Sequence, residues 1–149
     1  MSARTLEQFF RSLDETQFEQ WVRTYINLTC ETERPAQRIG RKGQAQKGVD
    51  VHAVIRDVGD VGYQAKAYVN TKLTAADFDK ELNEAHSFSP PLKEYTVVTL
   101  NPRDAALQEH ARSATIHGEK KVAVLALEDL VDIANENPAL RRALLEMVF

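Results

Sequence analysis

Apolar residues recur at helical spacing near both ends of the chain, and in its middle they gather into short, nearly continuous runs. That is the pattern of a sheet covered by helices. Leu6, Phe9, Phe10 and Leu13 define the first helical stripe, behind Thr5 and Gln8 in a capping-box arrangement. Asp14 and Glu15 interrupt it. Thr16, with Glu19 at its capping-box position, predicts a second helix through Phe18, Trp21, Val22, Tyr25 and Ile26. Thr29 to Arg38 lacks a period and contains Pro35, so it reads as a connection or an irregular edge strand.

A polar loop punctuated by Gly40, Gly43 and Gly48 leads into two predicted strands, Val49 to Arg56 and Val61 to Val69, with Asp57 to Asp60 as the turn of a hairpin. Thr74 and Asp77 open a third helix through Phe78, Leu82 and Ala85, and Ser89-Pro90-Pro91 stops it. Tyr95 to Leu100 and Lys121 to Leu127 read as strands buried on both faces. Between them, Asn101 as cap and Pro102 at the first helical position predict a helix from Arg103 to about Ala114. A short helix from Glu128 to Ala134 follows, and Asn137-Pro138 caps a last one carrying Leu140, Leu144, Leu145 and Val148. The expected fold is α/β, a central mixed β-sheet flanked by helices on both faces.

A chain of 149 residues accommodates one domain with a real core. The apolar spacing still runs at Phe149, which fits either the N-terminal domain of a longer chain or a closing helix docked on the core. A hydrophobic content of 43% with 28% charged residues excludes a disordered or disulfide-stapled chain, and no apolar run approaches a membrane span. The lone Cys30 reads as a small, half-buried apolar residue, and its isolation together with the lack of a signal-peptide pattern suggests the cytoplasm. Net charge is −3, yet Arg34, Arg38, Arg41, Lys42 and Lys47 fall in one stretch without an acid. That run is either a solvated surface or a phosphate track, and its glycines, which bare backbone N–H groups just before Asp50, suit the second use.

Strand alternation would put Asp50, His52 and Val54 on one face of the first hairpin strand, and Gln64, Lys66 and Tyr68 on one face of the second. A carboxylate, an amide oxygen and an ammonium then converge beside the basic loop. Phosphodiester hydrolysis needs an activated water, neutralised phosphate charge and help for the leaving oxygen, all of which a loosely caged Mg²⁺ serves. Asp50 would be the anionic ligand, with Gln64 and the Ala65 carbonyl as neutral ones. Lys66 would orient the attacking water, its pKa lowered by the ion and partial burial. Gln44 and Gln46 either contact phosphates and bases or fill a polar loop; Tyr68 either packs beside Lys66 or stacks near substrate; His52 reads as structural. His86, His110 and His117 show no metal-ligand spacing.

The run from Gly43 to Val51, reading GQAQKGVDV, followed by Tyr63-Gln64-Ala65-Lys66-Ala67-Tyr68, resembles the Mrr-like branch of the PD-(D/E)XK, or restriction-endonuclease-like, nucleases, whose second acid is commonly glutamine in a QxK motif. The stretch from Leu73 through Pro90-Pro91 to Tyr95–Thr99 and Asn101–Gln108 is similar to nuclease domains at the head of antiphage-defence NTPases. The resemblance runs from about Phe18 to Ile133 and implies a restriction-endonuclease-like core and a Mg²⁺-dependent DNA endonuclease, with Mn²⁺ as a possible substitute. In its terms Asp50 is the metal-binding acid, Gln64 the second ligand, Lys66 the catalytic lysine, and Glu19 an acid of the first core helix beside the metal. Residue chemistry alone explains Glu19 equally well as a capping-box acid. Arg38, Arg41, Lys42, Gln44, Gln46 and Lys47 would track DNA, expected to be double-stranded. Cutting both strands needs two sites, so a homodimer or higher assembly is expected, with a fused or associated NTPase region in control. Because Gln64 stands where an anion is usual, the alternative is a catalytically inactive DNA-binding or assembly module on the same fold.

Overall fold

The computed structural model describes residues 1–40, 44 and 47–149. Its elements, in chain order, are α1 (Ala3–Arg11), α2 (Glu15–Thr29), β1 (Gln37–Arg38), β2 (Val51–Ile55), β3 (Gly59–Lys66), α3 (Ala75–Ala85), β4 (Glu94–Thr99), α4 (Ala105–Ser113), β5 (Val122–Leu125), α5 (Leu127–Glu136) and α6 (Pro138–Val148). The strands form one mixed sheet in the order β1-β2-β3-β4-β5. β1, β2 and β3 pair antiparallel, whereas β3, β4 and β5 run parallel. The expected α/β architecture is therefore present, with the hairpin formed by β2 and β3. Among the described residues, no helix is long and apolar enough to cross a membrane.

Strand alternation divides the core into two clusters. Val51, Ala53, Val61, Ala65 and Val98 pack with Leu6 and Phe10 of α1, Phe18, Trp21, Val22 and Ile26 of α2, and the apolar faces of α5 and α6. Tyr95, Val97 and Val122 face the other way, onto Phe78, Leu82 and Ala85 of α3 and Leu107 and Ala111 of α4. A sheet with helices on both faces buries its inner strands on both sides, which is why β4 reads as a continuous apolar run, whereas the edge strands β1 and β5 keep exposed positions.

The starts of α1, α2 and α4 fall away from their expected places, each for a local reason. Ser2 rather than Thr5 caps α1, its side chain accepting from the Thr5 N–H. Asp14 caps α2 in a reciprocal box with Gln17, so Thr16 lies inside the first turn. Thr74 and Asp77 cap α3 as expected, and Asn137 with Pro138 caps α6. Asn101 does not cap α4, because its amide is spent elsewhere and Asp104 takes the role. The hairpin turn is shorter and earlier than expected, at Arg56–Val58, with Asp57 in the left-handed region (φ 66°).

The hairpin also begins later than alternation suggests. Val49 belongs to the cluster beneath α3, but Val51 belongs to the opposite one. Residues two apart in a regular strand share a face, so the chain turns over at Asp50, which lies in a bend just ahead of β2. Gly48 enables this. Its φ is +71°, and a Cβ there would run into the backbone oxygen of Glu81 on α3.

Candidate functional site

The bend leaves Asp50 tied from three directions. Its N–H donates to the Tyr63 carbonyl (2.8 Å) and its carbonyl accepts from the Ile39 N–H (2.8 Å). Its carboxylate then takes a ladder bond that a backbone carbonyl would ordinarily take, as Oδ2 accepts from the Ala65 N–H at 2.7 Å. The side chain is 2% exposed and held against the peptide of Ala65, whose carbonyl projects from the same strand edge as its N–H. Asp50 thus stands just ahead of the Val51–Tyr63 pair, where β2 and β3 separate, with the Lys66 charge near enough to act on its carboxylate, and it reaches this position from a bend and not from strand alternation.

Gln64 is 8% exposed, and its Oε1 finds no hydrogen-bond partner among the described residues. A buried carbonyl oxygen without a partner costs roughly 1–3 kcal/mol. Such an atom needs a reason.

Glu19 lies on the buried face of α2 beside Phe18 and Val22, at 7% exposure. With Asp14 and Gln17 forming the capping box, the capping explanation for Glu19 lapses: it sits more than a turn inside the helix. Its Oε1 is 3.5 Å from the Arg38 guanidinium. Burial raises its pKa, with Arg38 pulling the other way. Asp50 is pushed up to about 7, first by burial and then by the charges of Glu19 and Glu15, against the Ala65 hydrogen bond and the Lys66 ammonium. A carboxylate starved of water and crowded by neighbouring acids, as Asp50 is, is poised for a cation.

Lys66 departs from expectation. Its Nζ donates to Glu81 Oε1 on α3 at 2.7 Å. Burial alone would lower its pKa, but the hydrogen bond and charge of Glu81 outweigh burial and the net shift is upward, opposite to the lowered value expected. Glu81 was missed in the sequence, where a signal existed: a carboxylate between Phe78 and Ala85 on the inward stripe of α3.

Of the expected DNA-contacting residues, Arg38 lies on the two-residue strand β1 and Lys47 and Gln44 are exposed, whereas Arg41, Lys42 and Gln46 lie outside the described residues. His52 is bonded to Asp60 (2.9 Å) and packs on Phe88, the structural role expected. Tyr68 is half-buried against the cluster beneath α3, and Cys30 packs at the edge of the other core. A groove of about 370 Å³ opens along Gln64–Tyr68 against Leu13, Asp14 and Glu15. A larger cavity of about 530 Å³, between the segment 69–73 and Asn101–Asp104, contains none of the expected site residues, and chemistry favours the smaller groove.

Among the described residues, no three His, Cys, Asp or Glu side chains group closely enough to hold a metal ion. The donors at this site are of another kind: one firm carboxylate, an orphaned amide oxygen and a backbone carbonyl, with Glu19 as a further carboxylate. Hard oxygen donors of this sort suit Mg²⁺, which keeps several waters and takes few protein ligands. Compared with known proteins, the chain matches no family model, no curated protein and no solved structure.

Proposed function

We propose that this protein is a metal-dependent DNA endonuclease of the PD-(D/E)XK type, Mrr-like branch, with Asp50, Gln64 and Lys66 as its working residues on a restriction-endonuclease-like core. The observation that carries the reading is the buried Gln64 Oε1, without a hydrogen-bond partner among the described residues, one residue before the Ala65 whose N–H binds the Asp50 carboxylate, an arrangement that is costly for a scaffold and useful for a ligand set. Asp50, Gln64 and the Ala65 carbonyl would hold Mg²⁺ or Mn²⁺, with Glu19 as a further ligand. When bound, the ion supplies Lewis-acid neutralisation of phosphate charge and an acidified water.

The chain's own residues do the rest. Asp50, fixed by its three hydrogen bonds, sets the position of the site relative to β3. The Lys66 ammonium acts as a charged donor that orients water and offsets charge growing on the phosphate, a role that suits a lysine kept protonated. Arg38 and Lys47, with Arg41, Lys42, Gln44 and Gln46, guide the duplex phosphates toward the groove. The active form is a homodimer or higher assembly, governed by a fused or associated NTPase region in bacterial defence in the cytoplasm.

The test is plasmid nicking in Mg²⁺ or Mn²⁺ by the wild type, Asp50→Ala and Lys66→Ala, with folding checked by circular dichroism. A fused coiled coil enforces dimerisation in a parallel set. Both variants are expected to lose activity by about two to three orders of magnitude. Equal nicking by wild type and Lys66→Ala removes the assignment. A second reading, a non-catalytic DNA-binding or assembly module, is favoured by the Lys66–Glu81 ion pair, which commits the lysine to a protein partner. It predicts salt-sensitive DNA retention without nicking in any of these proteins.

A further inference from the structure

We infer that Glu81 is the positioning residue for Lys66, and that through it α3 sets where the lysine stands relative to Asp50; this rests on the nuclease reading of the site. Glu81 occupies an inward position of α3, flanked by the buried Phe78, Leu82 and Ala85, and is itself 9% exposed. A carboxylate there is costly unless paired. Its partner is the Lys66 ammonium at 2.7 Å, and both side chains are largely buried, at 20% and 12% exposure. Lysine is a flexible, four-carbon stem with many rotamers, and a single buried acceptor selects among them.

The same residue also touches the other arm of the site. Its backbone oxygen lies against Gly48 so closely that no Cβ fits, and the Gly48 carbonyl accepts from the Tyr95 hydroxyl at 2.6 Å. Gly48 stands two residues before Asp50. One turn of α3 therefore holds Lys66 by a side chain and abuts the approach to Asp50 by its backbone. A helix that served packing alone would carry an apolar residue here, like its three inward neighbours.

The experiment compares the full chain with Glu81→Ala and Glu81→Gln. Two quantities are read: the ¹⁵N signal of Lys66 Nζ in metal-free protein, and single-turnover plasmid cleavage in saturating Mg²⁺ alongside DNA affinity. Glu81→Ala is expected to lose the protected Nζ signal and about 10- to 100-fold in kcat, with DNA affinity within about threefold, as a small displacement of a catalytic group would produce. Glu81→Gln, which keeps an acceptor in place, is expected to recover the Nζ signal and most of the rate. If Glu81→Ala does not fold, Glu81→Asp, which withdraws the carboxylate by one methylene, takes its place. A folded variant with a wild-type Nζ signal or a wild-type kcat overturns the assignment, as does a loss carried by DNA affinity alone. A wild type that does not cut counts against the nuclease reading only, and the Nζ signal then decides the role of Glu81.

Discussion

Asn101, just past β4, and Gln64, within β3, both bury a side-chain amide, at 6% and 8% exposure, yet they are treated differently by their surroundings. Asn101 Oδ1 accepts from the Leu73 N–H at 2.6 Å, and its Nδ2 donates to the carbonyls of Tyr68 (3.1 Å) and Thr71 (3.0 Å). Its backbone is engaged too, with the N–H on Thr99 Oγ1 and the carbonyl on the Leu127 N–H. Among the described residues, Gln64 Oε1 has no such partner. A buried amide whose capacity is filled is scaffold, here pinning the segment between β3 and α3 to the end of β4. One left open is an atom waiting for a ligand.

The strongest way to break this contrast is to remove the filled amide. Asn101→Ala leaves the Leu73 N–H and two carbonyls without partners and is expected to cost about 3–5 kcal/mol, measured by urea unfolding. A loss under 1 kcal/mol would erase the distinction between the two sites.

Asp50→Asn tests the other side. The amide oxygen still accepts from the Ala65 N–H, but the buried charge is gone. A carboxyl raised from the ordinary range to about 7 keeps in the folded state a proton that the unfolded chain releases near 4. Stability of the metal-free wild type therefore falls as pH rises from about 4 to about 7, and the deficit is complete above that. Asp50→Asn escapes it. The variant is expected to gain about 2–3 kcal/mol over wild type at pH 8 and almost nothing at pH 4, as read from unfolding midpoints across pH.

The smallest effect is expected from Gln64→Met, which keeps the length of the side chain while deleting the orphaned oxygen. Folding stability should stay level or rise by up to about 1 kcal/mol. A marked loss of stability would show that Gln64 belongs to the scaffold after all.

Much of this was legible in the residues. The order of helices and strands follows from apolar spacing, and the placing of Asp50 and Lys66 at the open end of one hairpin follows from two strands joined by a short turn. What escaped notice depended on competition between neighbours. Ser2 and Thr5, or Asp14 and Thr16, are each chemically able to cap, and the winner is set by where the apolar stripe must land on the sheet. Asn101 looked like a helix cap because its alternative partners, at Tyr68, Thr71 and Leu73, are some thirty residues away in sequence. The turnover at Asp50 arises from Gly48 pressing on α3, a contact no periodicity encodes. Glu81 was readable in principle, as a charge on an apolar face.

The most direct test of the central claim is a Mn²⁺ titration of metal-free protein, followed through the paramagnetic resonance signal of the free ion, in wild type, Gln64→Met and Asp50→Ala. One site is expected in the wild type, weakened about 10-fold or more in Gln64→Met and lost in Asp50→Ala. Identical Mn²⁺ binding by all three proteins would contradict the account.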